Sequence, residues 1–427
     1  MIDDAILTLD DISVEGKTVA LRVDINSPVD ESKRIKDRTR ILRCLPTIRE
    51  LHDKRAKLVI LAHQADPIEY QNFTVLEEHA GILSELLETR VEYVDDVAGP
   101  FAVDKIRAMQ PGDVLLLDNV RIYTEETIIF EKEVKLPPED QARTTVVRRL
   151  SPLADYYVCD AFAAVHRSQP TLVGFPELLP AAAGRLFEEE LRTLSKVKQN
   201  PKRPCIFILG GAKILDAFRM MRAALEDGSA DRILTTGLVA QIMLKAKGIS
   251  LGRASEAYLE KKNLMEFVPA AEESLKNHSE RIVCPEDFAV DAAGQRKDLE
   301  VGALPDEQSI ADIGERTIQR YCTLIAEAKT VFVNGPAGVY EKAPFALGTR
   351  RIWEAVAASQ AFSVLGGGDS IAAAKLFGLQ DGISFISTAG GGLIRFLAGE
   401  KLAVVEALQK SAARFRGKVR PQDPIDR

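Results

Sequence analysis

The feature that most restricts the fold is a recurrence of short β-branched and aliphatic runs: TVALRVDI, KLVILAH, DVLLLDNV, DYYVCDAF, PCIFILGG, RILTTG, RIVCPEDF, TVFVNGP, FSVLGGGD and ISFIST. Stretches of helical periodicity separate them. Runs that are apolar at successive positions need cover on both sheet faces, and strands alternating with helices supply it, so the pattern predicts an α/β chain with parallel sheets.

A chain of 427 residues with 46% hydrophobic content exceeds what a single core usually supports, and two domains are expected. The boundary is expected around residues 171 to 204, where TLVGFPELLPAAAG leads into the charged helical segment RLFEEELRTLSKVK and then NPKRP. Residues 1–175 with 400–427 form one expected domain, and 176–399 the hinge helix and the other. The basic tail QKSAARFRGKVRPQDPIDR reads either as a loosely ordered terminus or as a functional segment.

The 56 Lys and Arg against 63 Asp and Glu give a net charge of -7, which argues against a general nucleic-acid or anionic-membrane surface. Any anion site must then be a local basic cluster. Cys44, Cys159, Cys205, Cys284 and Cys322 lie far apart with no CxxC pair, so neither a zinc site nor a disulfide framework is expected. The acidic start, MIDDAILTLDDISVEG, and the absence of a long apolar run predict a cytoplasmic chain.

Ligands of open parallel sheets collect at the carboxyl ends of strands, and these ends differ between the two halves. In the first half they carry Asp24, Asn26, His63, Asn119, Arg121 and Asp160, followed by His166 and Arg167. Arg40 and Arg43 begin a predicted helix one turn apart, and guanidinium forks suit carboxylate and phosphate. Each residue taken singly also fits a surface pair or a core position; their shared placement points to an anion site. Arg43 also fits a solvated helix face.

In the second half the ends carry glycine: GGAK at 210–213, NGPAGVYE at 334–341, GGGDS at 366–370 and STAGGG at 387–392. Glycine at strand-to-helix turns lets backbone N–H groups approach phosphate, helped by the helix N-terminus, although tight turns and close packing use glycine too. No GxxxxGK[ST] or GxGxxG is present, so the expected polyphosphate site is neither a P-loop nor a dinucleotide fingerprint. Asp369 is expected both to cap its helix and to meet magnesium, Lys213 to neutralise a moving phosphoryl group, and Glu341 to accept from ribose hydroxyls.

Taken in order, RVDINSP, TRILRCLPTI, LAHQADP, LLLDNVRIYTEE, DAFAAVHRS, GGAKILD, NGPAGVYE, GGGDS and STAGGG resemble the phosphoglycerate kinase family almost end to end, in wording close to its archaeal branch. The resemblance implies two Rossmann-like domains, each a parallel sheet flanked by helices, closing about a hinge. It implies reversible phosphoryl transfer between 1,3-bisphosphoglycerate with ADP and 3-phosphoglycerate with ATP, with Mg2+, in glycolysis and gluconeogenesis. Small-molecule substrates and a monomer are implied, with no nucleic-acid or membrane partner.

Carried over by motif, Asp24, Asn26, Arg40, His63, Arg121 and Arg167 would hold the phosphoglycerate, with Arg40 reaching the transferring phosphoryl. Lys213, Gly237, Asn334, Glu341, Gly367, Gly368, Asp369 and Ser370 match nucleotide positions, with Asp369 on the metal. Gly391 and Gly392 would offer N–H groups to the transition state, alongside Arg40 and Lys213 as catalytic residues. Thr388 and the segment near 185–197 are candidate hinges, and the tail would return to the first domain.

Three departures bear on function. Asp66 stands where the family pattern HxGRP carries arginine, so Arg43 or Arg38 compensates, the loop points away, or the acceptor is another small carboxylate. Ala217 replaces the second lysine of GGAKxxDK, leaving Arg219 as the nearest cation, and Ala389 replaces a glycine. Together Asp66 and Ala217 also fit a nucleotide-binding regulatory protein without turnover.

Overall fold

The computed structural model describes residues 5–419. The chain divides into two compact units, one of residues 1–192 with 401–427 and one of 193–400.

In the first unit, strands β1 (Leu7–Thr8), β2 (Thr18–Arg22), β3 (Lys57–Leu61), β4 (Val91–Val94), β5 (Val114–Leu117), β6 (Tyr156–Cys159) and β7 (Ala181–Ala183) form one sheet in the order β1-β7-β6-β2-β3-β5-β4. Every neighbouring pair is parallel. All carboxyl ends therefore open on one edge. The helix Thr39–Asp53 turns Ile41, Cys44, Thr47, Ile48 and Leu51 inward at helical spacing, which leaves Arg40 on its first turn beside that edge.

Strand β7 lies beyond residue 175, where the sequence reading ends the first domain, yet it pairs with β1 and β6. The run of alanines there is short enough to escape notice in the sequence. The boundary between units falls inside the helix Arg185–Gln199, between Arg192 and Thr193. The helix Ala403–Phe415 belongs to the first unit: the Ser411 hydroxyl donates to the Leu179 carbonyl (2.9 Å) and accepts from the Ala181 amide (2.9 Å). The part of the basic tail beyond residue 419 lies outside the described residues.

In the second unit, β8 (Cys205–Leu209), β9 (Arg232–Thr235), β10 (Ile282–Val283), β14 (Thr330–Asn334), β15 (Phe362–Gly366) and β16 (Phe385–Ile386) form a parallel sheet in the order β10-β9-β8-β14-β15-β16. A separate antiparallel sheet, β12-β11-β13, comprises β11 (Asp287–Ala292), β12 (Gln295–Glu300) and β13 (Ile310–Ile313). The sequence expectation of parallel strands alone misses it. RIVCPEDF is two strands, because Pro285 lacks the N–H a continuous ladder requires and the chain leaves the sheet there.

His79 lies on the buried face of the helix Glu77–Leu87, with only a loose contact to the Ile25 carbonyl, and burial depresses its pKa to about 4. Between that value and the unfolded one of about 6.5 the unfolded chain binds more protons, so stability falls as pH drops through this window. His79→Leu should remove that slope, worth up to about 1.4 kcal/mol per pH unit. Thermal midpoints measured between pH 7.5 and 4.5 should therefore fall less steeply in the variant.

Candidate functional sites

At the carboxyl edge of the first sheet, Asp24 follows β2, His63 follows β3, and Arg121 follows β5. Arg40 Nη1 donates to Asp24 Oδ1 at 2.7 Å, and the Asn26 amide donates to the same oxygen at 3.2 Å. Burial works to raise the Asp24 pKa, but Arg40, His63 and Arg22 outweigh it and hold the carboxyl well below the usual range. For His63, burial depresses the pKa first of all; Arg121, Arg22 and Arg40 add to it against the pull of Asp24, so the imidazole is neutral near pH 7.

Not every polar group at this edge is available to a ligand. Asn119 spends its amide on the backbone, donating to Gln64 O (2.8 Å) and Thr74 O (2.9 Å) and accepting from Gln64 N and Arg121 N. Asn26 Oδ1 accepts from the Ala65 amide at 3.0 Å. Asp160 is buried, accepts from Phe187 N at 3.0 Å near the start of the helix Arg185–Gln199, and burial raises its pKa to about 7. Asn119 and Asp160 thus set the loops rather than extend the anion cluster. Arg167 lies 3.4 Å from Glu131, which also accepts from Ser168 N and Gln169 Nε2.

Asp66 is buried and does not confront a ligand as a free charge. Its Oδ2 accepts from Ile128 N at 3.0 Å and stands 3.9 Å from Arg121 Nη1. Arg121 also donates to the Ala65 carbonyl (2.5 Å), while its buried Nε has no partner. Neither Arg43 nor Arg38 supplies the expected compensation: Arg43 pairs with Glu189 (3.1 Å) and Arg38 with Glu85 (3.1 Å). The loop fold brings Asp66 inward, a fact its sequence spacing conceals.

Three residues with no signal in the sequence reading complete this region. Arg22, fully buried at the end of β2, places Nη2 3.0 Å from His63 Nδ1 and donates Nε to Thr171 Oγ1 (3.1 Å). Thr171 in turn meets both carboxylate oxygens of Glu126, whose pKa burial raises to about 7 against the pull of Arg22 and Thr171. A lone arginine inside an apolar run, as in TVALRVDI, is the signal that could have found Arg22; Thr171 and Glu126 carry none.

In the second unit a cavity of about 580 Å³ is lined by the strand-end loops, within the usual range for small-molecule sites. Gly211 and Gly237, Phe288, the segment 336–342 and Asp369 line it, with Glu341 among them. Several glycines here serve packing rather than open N–H cradles. Gly210 N donates to Asn334 O, Gly211 N to Pro336 O, Gly237 N to Ala337 O and Gly335 N to Ser370 Oγ, all within 2.7–3.1 Å. A Cβ on Gly335 would meet Gly210 O at 2.1 Å, and its φ of +90° is one that other residues rarely adopt.

A different set remains open to a ligand. Gly367 precedes the helix Gly368–Phe377, where Gly368 and Asp369 are exposed on the first turn and the helix dipole favours an anion. Asn334 Nδ2 is buried with no hydrogen-bond partner among the described residues, and Ser370 is buried beneath the same turn. Tyr340 has its pKa raised by burial and by the carboxylates of Glu341 and Asp369, and both acids line the same cavity. Lys213 is exposed at the start of the helix Ile214–Glu226. Ala217 lies on the buried face of that helix, and Arg219 stands 3.7 Å from Glu400 instead of serving as the spare cation. The Gly392 amide donates to Ala389 O at 2.9 Å, whereas Gly391 is exposed at the helix start.

Comparison with known proteins bears directly on these two sites. The family model "Phosphoglycerate kinase" matches residues 9–400. The chain belongs to the phosphoglycerate kinase family. It is 47% identical over 405 residues to the phosphoglycerate kinase of Methanothermobacter thermautotrophicus, covering 95% of this chain and 97% of that protein. To that of Methanothermus fervidus it is 46% identical over 408 residues, covering 95% and 98%. Both of these relatives are archaeal, in keeping with the wording of its motifs. The crystal structure of phosphoglycerate kinase from Pyrococcus horikoshii OT3 matches with a TM-score of 0.86 at 42% identity, covering 96% of this chain and 100% of that one. Phosphoglycerate kinase from Coxiella burnetii matches at 0.81 and 31%, covering 95% and 100%.

Gly335→Ala tests whether the second cavity depends on close strand-end packing. Backbone strain alone should cost about 1–3 kcal/mol, before the clash with Gly210. The expected result is a lower thermal midpoint together with weakened ADP binding in calorimetry.

Proposed function

We propose that this chain catalyses reversible phosphoryl transfer between 1,3-bisphosphoglycerate with ADP and 3-phosphoglycerate with ATP, in glycolysis and gluconeogenesis. Membership of the family supplies the reaction. The observation that carries it to particular residues is the convergence of Asp24, Arg40 and Arg121 around His63 at one strand edge, with Arg40 paired to Asp24, a compact anion site in an acidic protein.

On this reading Asp24, Asn26, Arg40, His63, Arg121 and Arg167 hold the phosphoglycerate. Asn26 contributes in part by holding the Ala65 loop. His63 contributes a neutral donor, and Arg40 adds positive charge toward the transferring group. Lys213, Gly237, Asn334, Glu341, Gly367, Gly368, Asp369 and Ser370 hold the nucleotide, with Gly237 acting through close contact because its amide is already bonded. Gly391 and Gly392 serve the transition state, for which the Gly392 amide must exchange its bond to Ala389. Arg40 and Lys213 offset the charge that develops on the moving phosphoryl, which needs positioning and electrostatics rather than a covalent nucleophile.

Mg2+ fits as an ion carried with the nucleotide. No cluster of three or more metal-ligating side chains occurs among the described residues, and Asp369 offers an exposed carboxylate of the kind such an ion commonly takes beside phosphate oxygens. Magnesium would screen the nucleotide charge, and Asp369 would orient it. The inward, neutralised setting of Asp66 supports 3-phosphoglycerate over another small carboxylate as acceptor. Exposed Lys213 supports turnover over a purely regulatory role. We place the protein in the cytoplasm, acting as a monomer on small molecules without nucleic-acid or membrane partners; no helix among the described residues is long and apolar enough to cross a membrane.

The test is a coupled assay of magnesium- and ATP-dependent phosphorylation of 3-phosphoglycerate. Wild type should turn over, and Arg40→Ala and Lys213→Ala should each lose about a hundredfold or more in kcat, as when a preorganised charge-stabilising donor is removed. ADP binding without turnover, or turnover only with a different acceptor acid, would contradict the assignment.

A further inference from the structure

The buried chain running from His63 into the first unit is not used by the roles above. Arg22 is fully buried, so it cannot touch a ligand, yet it lies directly behind a residue assigned to one. A guanidinium only donates hydrogen bonds. Its Nη2 stands 3.0 Å from His63 Nδ1, so Nδ1 must be the acceptor and the proton of the neutral imidazole must sit on Nε2.

The guanidinium is itself fixed in place. Nη1 donates to the Val23 carbonyl, and Nε donates to Thr171 Oγ1 at 3.1 Å. Having accepted that bond, the Thr171 hydroxyl passes its own proton toward Glu126 Oε2 at 2.8 Å, while the Thr171 amide donates to Glu126 Oε1 at 2.6 Å. The Thr171 carbonyl accepts from the buried Tyr157 hydroxyl at 2.7 Å. Each of the three guanidinium nitrogens thus has one acceptor, and the bond directions are set from Glu126 to His63.

We infer that Glu126, Thr171 and Arg22 are positioning residues that hold His63 in its Nε2-protonated tautomer, aiming a neutral N–H donor at the anionic substrate. The network joins three separated stretches of chain: the end of β2, the turn Thr124–Glu126 and the segment Pro170–Gly174. It converts a histidine, which could present either nitrogen, into a donor of fixed direction. The inference rests on the assignment of His63 to the phosphoglycerate.

The experiment uses the full chain labelled with 15N-histidine. With five histidines in the sequence, the His63 signals are assigned by their loss in His63→Ala. Wild type should show a protonated Nε2 and an unprotonated Nδ1. Thr171→Val keeps the shape and removes the hydroxyl that carries Arg22 to Glu126. It should mix the two tautomers and raise KM for 3-phosphoglycerate about five- to tenfold, the worth of about one hydrogen bond. KM for ATP should not change, and Thr171→Ser should restore both readouts. Should Thr171→Val fail to fold, Glu126→Gln decides by the same two readouts. Protonation of His63 at Nδ1 in wild type would overturn the inference, as would folded variants with unaltered tautomer and KM. If His63→Ala itself leaves KM for 3-phosphoglycerate unchanged, the assignment of His63 to the substrate fails instead. A rise in His63→Ala alone would remove only the positioning network.

Discussion

Parallel pairing throughout the two larger sheets is the constraint on which the candidate sites depend, because it brings strand ends that are far apart in sequence onto one edge. Residues 24, 63 and 121 meet there only because β2, β3 and β5 are consecutive neighbours in the first sheet. The same holds for residues 210, 335 and 367, which follow β8, β14 and β15 in the second. On the proposed assignment the two edges meet the same problem, an anionic ligand in an acidic protein, in different ways. One gathers guanidinium and imidazole groups around a carboxylate. The other packs backbone against backbone and leaves a helix start, a buried amide and an exposed lysine for the ligand.

Charge burial at the first edge follows from how its groups are paired. Arg22 and Arg121 are almost fully out of water, and each is tolerated because acceptors surround it: Val23 O, Thr171 and His63 for the first, Ala65 O and Asp66 for the second. Asp66 illustrates why sign alone misleads. Read as a bare negative charge it argues against a phosphorylated acid, but its partners are the Ile128 amide and Arg121. A carboxylate so engaged contributes to loop geometry more than to repulsion.

Much of this was legible in the sequence. The apolar runs mark most of the parallel strands, and the polar or glycine residues that end them mark both ligand edges. What escaped has physical reasons. Two-residue strands such as β1 and the alanine strand β7 carry too little pattern to be seen. The antiparallel sheet was hidden because RIVCPEDF is one apolar run interrupted by a proline whose consequence is topological. Among site residues, Asn119 and Asp160 resemble ligand groups in sequence but bond to backbone groups, which only the folded loops reveal. Arg22, Thr171 and Glu126 are separated by up to 149 positions and meet solely through the fold. In sequence the glycines suggest open N–H groups, whereas Gly210 and Gly335 are needed because no side chain fits between them.

The central claim is that the acid binds at the strand edge of the first unit and the nucleotide at that of the second. Hydrogen exchange followed by mass spectrometry, with each ligand added alone, tests this most directly. The account predicts that 3-phosphoglycerate slows exchange in segments 22–27, 63–67 and 119–123, and that ADP with magnesium slows it in 210–214, 334–342 and 367–371. Protection by 3-phosphoglycerate confined to the second set of segments, or by ADP confined to the first, would contradict it.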